Sequence, residues 1–83
     1  MSDVQRDKAF YDMADAYIAL ANTQLSETKP SRVSAAALFA ASRFNAFVIA
    51  AAAGSKDQMI AEKEAAIAYF LDQYEKMLRE NID

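Results

Sequence analysis

Arg43 and Asn45 are the residues in this chain whose type and setting could do chemistry. They lie in a run from Ala35 to Ala53 where Ser42 is the only other polar side chain. An arginine among Phe39, Phe44 and Phe47 must carry its head to solvent or meet an anion, because an unpaired buried charge costs several kcal/mol. Two outcomes differ in function. The arginine can form a structural ion pair that sets helix register, or, with Asn45, it can line a pocket for a small carboxylate or phosphate ester. If the chain reverses near Lys29, Arg43 falls level with Ala14 and Asp15, so Asp15 or Asp12 is the nearest acidic partner. Glu62 and Glu64 come next.

Other chemistry is poorly supplied. The 83 residues include no histidine and no cysteine, which removes thiolate and imidazole metal sites, cysteine nucleophiles and the usual acid–base group near neutral pH. The carboxylates Glu62, Glu64, Asp72 and Glu75 lack the histidine that completes an inward-facing di-metal site in a helical bundle; they read as a solvated face. Tyr11, Tyr17, Tyr69 and Tyr74 could form a stacking platform, but Tyr17 and Tyr74 sit at core-like helical phases, with the hydroxyl at the rim. We expect no catalytic residue, no metal and no cofactor. A net charge of -3 provides no general attraction to phosphate backbones, so nucleic acid is not an expected partner.

The elements that position these residues are helices. The chain has one glycine, Gly54, and one proline, Pro30, and they separate three long stretches rich in good helix formers. Ser2 with Gln5, and Ser55 with Gln58, have the spacing of capping boxes. Ser31 or a close neighbour caps the middle helix, and Gly54 ends it. The expected helices cover about 3–25, 32–53 and 56–81 of a single domain, 1–83. Short loops force sequential neighbours antiparallel, so the fold class is all-α, an up-down-up antiparallel three-helix bundle. Helix 1 places Phe10, Met13, Ala14, Tyr17, Leu20, Ala21 and Leu25 on one face. Helix 3 carries the stripe Met59, Ile60, Ala66, Ile67, Phe70, Leu71, Tyr74, Met77 and Leu78, with Asp72–Lys76 and Glu75–Arg79 spaced as ion pairs.

The middle helix does not keep its apolar residues to one stripe. Val33, Ala37, Ala40, Phe44, Phe47, Val48 and Ala51 form one face, while Leu38, Phe39, Ala46, Ile49 and Ala53 spread over much of the rest. A helix apolar nearly all round is normally buried nearly all round. Two neighbours cover roughly half to two thirds of its circumference, so the remainder predicts self-association through helices 1 and 2 to a homo-oligomer, a dimer by preference. Leu38, Phe39, Ala46 and Ile49 are the expected contact face. A membrane is not expected, because an arginine at the centre of a span costs about 2.5–3.5 kcal/mol and alanine offsets little. The opening Met1–Lys8 shows no basic run followed by an apolar stretch, so the expected location is cytoplasmic.

Phe10-Tyr11, Ala14-Asp15 and Ile18-Ala-Leu-Ala-Asn22, followed by Val33-Ser-Ala-Ala and Leu38-Phe-Ala-Ala-Ser-Arg-Phe-Asn-Ala-Phe47, resemble the small proteobacterial family known as domain of unknown function 3144. The likeness covers residues 8–52 and the total length. It implies a bacterial cytoplasmic protein and assigns no activity, cofactor or ligand. It also marks Asp15, Asn22, Arg43 and Asn45 as the polar positions inside the matching segments. Together these readings predict a non-enzymatic structural or interaction protein that self-associates, with an anion-binding module around Arg43 and Asn45 as the alternative.

Overall fold

A computed structural model of the protein describes residues 4–83. Among them are three helices, α1 (Lys8–Gln24), α2 (Pro30–Ala53) and α3 (Lys56–Ile82), and no strand. The all-α class and the helix order are as expected.

The largest departure is the start of α1. Ser2 lies outside the described residues, and residues 4–7 are not helical. Asp7 is the N-cap instead, with extended backbone, and its Oδ1 accepts a hydrogen bond from the Phe10 N–H at 2.9 Å. A carboxylate that satisfies an orphan N–H also suits the positive end of the helix. At 17 residues, α1 is only about 25 Å long, against about 36 Å for the 24 residues of α2.

Pro30 is the first residue of α2, where its missing N–H is no loss and its ring fixes a helical φ. Arg32 and Val33 donate their N–H groups to the Lys29 carbonyl at 3.0 and 3.2 Å, so the helix begins ahead of Ser31. Gly54 follows the last turn of α2 at φ 80, a left-handed conformation that a side chain resists. Ser55 then caps α3, its hydroxyl accepting from the Gln58 N–H at 3.1 Å. The reciprocal half of a capping box is absent, because the Gln58 side-chain amide donates forward to Glu62 at 2.7 Å.

The chain forms two compact units, Met1–Ser42 and Arg43–Asp83, that divide α2 between them. The first holds α1 and the opening half of α2. Val33 is its one buried residue among those described, and Phe10, Ala14 and Ala21 along α1 are half-buried. The second holds the rest of α2 and α3. There Ala66 is buried, with Asn45, Ile49, Ala53, Met59, Tyr69, Phe70 and Gln73 half-buried. Asn45, Ile49 and Ala53 follow one another at four-residue steps, the repeat of a single helix line. The broad apolar stripes expected on α1 and α3 are covered only in part: Met13, Tyr17 and Leu20 on α1, and Ile60, Leu71 and Tyr74 on α3, are exposed, and on α3 the covered strip shifts to take in Tyr69 and Gln73.

Candidate functional site

The residues singled out for chemistry fall in separate units, Asp12 and Asp15 in the first, Arg43 and Asn45 in the second. Among the described residues no polar or charged side chain is buried. Arg43 is exposed and Asn45 is half-buried on another line of the same helix. Asp12 is held by its own helix neighbour Lys8, Nζ to Oδ2 at 2.8 Å, and Asp15 is exposed one turn further on. Arg43 thus carries its head to solvent, one of the two outcomes its setting allows. Water satisfies the guanidinium because the helix line that carries it is open, and a strong ion pair is not required there. The hollow on the first unit, about 530 Å³, lies between Gln24, Glu27 and Thr28 of the first connection and Arg32, Val33 and Ala36 of α2. Its lining mixes Glu27 with Arg32 and is exposed except at Val33, so nothing in it is built to retain an anion.

The ion pairs that exist are local. Lys76 reaches Asp72 at 2.9 Å and Arg79 reaches Glu75 at 3.0 Å, both at the expected four-residue spacing on α3. The hydrogen bond from Lys76 to Asp72, and then the charge of that carboxylate, hold the Lys76 ammonium above its ordinary pKa of 10.5. Among the described residues, no group of three or more acidic side chains could hold a metal ion.

What α2 presents instead is apolar surface. Leu38, Phe39 and Ala46 of the expected contact face are exposed, Phe39 at 64%. Ile49 departs from that face: it shares its helix line with Asn45 and Ala53 and is half-buried within the second unit. Phe44 and Phe47, on the other apolar face of α2, are 63% and 72% exposed. The signal that locates Phe47 is its phase. Phe39, Arg43 and Phe47 recur every four residues, and a line carrying an arginine is a poor choice for a core. Ser42 spends its hydroxyl on its own helix, donating to the Phe39 carbonyl at 2.8 Å.

An all-α protein of three helices, with large apolar residues open on the middle helix, is the class that fold and surface define. The chain belongs to the family of proteins of unknown function DUF3144, whose model matches residues 10–83. The match carries the relationship beyond the segments that resembled the family, through the whole of α3. No curated protein and no solved structure matches the chain.

Proposed function

We propose that the protein is a non-enzymatic structural or interaction protein that self-associates, with α2 as the principal surface and α1 beside it. The observation that carries this reading is the exposure of Leu38, Phe39, Phe44 and Phe47, each more than half open to water along one 24-residue helix. Contiguous apolar patches of this kind mark surfaces that another molecule covers. On α1, Met13, Tyr17, Ile18 and Leu20 add further exposed apolar area.

Lipid is the competing cover, because α2 is long and apolar enough to cross a membrane by length and composition. Insertion energies argue against it. The seven large apolar residues of α2 contribute about 2–4 kcal/mol in total, and Arg43 near the middle cancels about 2.5–3.5 kcal/mol of that. Protein cover lets the guanidinium find a carboxylate, which hydrocarbon does not supply. A cytoplasmic homo-oligomer, a dimer by preference, is the form we assign.

Size-exclusion chromatography coupled to light scattering, run from low to high micromolar concentration, tests this. An assembled mass is the expected result. A strictly monomeric chain that is stable and binds no dye for exposed apolar surface would remove the proposal, and recovery of the chain in a membrane fraction would replace it with the lipid reading.

A further inference from the structure

The charges on α2 are unusual for a helix that must be covered. From Pro30 to Ala53 it holds Arg32 and Arg43 and no acidic residue. Arg32 stands in the first turn, beside the positive end of the helix, where a cation is locally unfavourable. Placing one α2 against another would bring four cations together without an anion. A second copy laid on this helix must therefore bring carboxylates from elsewhere.

Arg32 and Arg43 lie on one line of α2 with Ala36, Phe39, Phe47 and Ala50, and every member of that line is exposed. The arginines are three helical turns apart, about 16 Å. The third helix carries the matching pattern. Glu64 and Glu75 are separated by the same three turns and share a line with Ala68, Leu71, Leu78 and Ile82, again all exposed. This line lies opposite the covered strip through Ala66 and Gln73, yet Leu71 is 67% and Ile82 74% open to water. Large apolar residues alternating with carboxylates on the far side of a helix fit a partner helix better than they fit solvent.

The geometry points to a specific mode of self-association, in which the Arg32–Arg43 line of α2 in one copy seats on the Glu64–Glu75 line of α3 in a second copy. The inference rests on the self-association reading above and names the surface that the second copy brings. Both charge pairs form at once whichever way the two helices run, because the spacings are equal. Phe39 and Phe47 then pack against Leu71, Leu78 and Ile82, and Ala36, Ala50 and Ala68 allow close approach of the helices. Glu75 exchanges the exposed Arg79 of its own helix for an arginine in a less solvated setting, where charge-assisted hydrogen bonds are stronger.

Charge reversal with mixing tests this contact. Two full-length variants are needed, Arg32→Glu with Arg43→Glu, and Glu64→Lys with Glu75→Lys. Because all four side chains are exposed, both variants should keep the helicity of the parent by circular dichroism. Each alone should associate at least about thirtyfold more weakly than the parent, the effect of breaking close charge pairs at an interface. An equimolar mixture should recover the assembly, since every α2 line then meets an α3 line of opposite charge. Variants that still self-associate like the parent, or a mixture that fails to recover, overturn the contact while leaving self-association standing. A parent that is itself monomeric overturns the underlying reading. Should either reversed chain lose helicity, the neutral variants Arg43→Gln, Glu64→Gln and Glu75→Gln decide the matter. Double-mutant cycles on the association constant must then couple Arg43 to Glu64 if the helices run antiparallel or to Glu75 if they run parallel, and additivity in both cycles refutes the contact.

Discussion

Phe47→Gln separates a residue held in reserve for an interface from one that belongs to a core. Phe47 is 72% exposed in the single chain. An aromatic side chain offers about 200 Å², so about 140 Å² faces water, worth about 3 kcal/mol if fully covered at about 25 cal/mol per Å². Covering half of that on association gives about 1.5–2 kcal/mol, and a symmetric dimer contains the residue twice. The dissociation constant should therefore rise by about two to three orders of magnitude. Glutamine is a good helix former, and the stability of the monomer should change by no more than about 0.5 kcal/mol. Sedimentation equilibrium over a concentration series measures the first effect, and thermal melting at the lowest concentration measures the second. An unchanged dissociation constant would place Phe47 outside the interface. A variant that melts much earlier while monomeric would show that Phe47 supports the fold of one chain, and the reasoning from its exposure would be wrong.

Asp7→Ala should lower stability by about 1 kcal/mol through loss of the cap on α1, read as a lower denaturation midpoint with an unchanged slope; Asp7→Asn should retain most of it. Gly54→Ala should cost about 1 kcal/mol by the same measurement, since φ is 80 at this position and an added Cβ would meet nothing within 4 Å, leaving backbone strain as the whole effect. The raised pKa of Lys76 has a definite sign. Its pair with Asp72 stabilises fully below the ordinary value of 10.5 and loses its contribution as pH rises through the higher folded value. Side-chain NMR titration should show Lys76 deprotonating above 10.5, and Asp72→Asn should lower its midpoint.

Much of the fold is legible in local chemistry. Pro30, Gly54 and Ser55 mark the helix ends because each acts through its own backbone or its immediate neighbours. The pairs on α3 are legible for the same reason, since four-residue spacing alone brings Asp72 to Lys76 and Glu75 to Arg79. The beginning of α1 misleads because Ser2–Gln5 and Asp7–Phe10 are both plausible starts, and nothing local ranks them.

The candidate site divides along the same boundary. Helical phase alone puts Phe39, Arg43 and Phe47 on one line of α2, and Glu64, Leu71 and Glu75 on one line of α3, because 3.6 residues per turn is a property of the backbone and not of its neighbours. Which lines are covered is a different question. Ile49, read as a contact residue, is half-buried within the second unit, whereas Phe44 and Phe47, on the other apolar face, stand open. Burial depends on which other helix packs against a line, and the residues of that line do not encode it. Helix boundaries and periodicity are therefore settled by the residues themselves, while exposure is decided by the lengths and positions of helices distant in the chain.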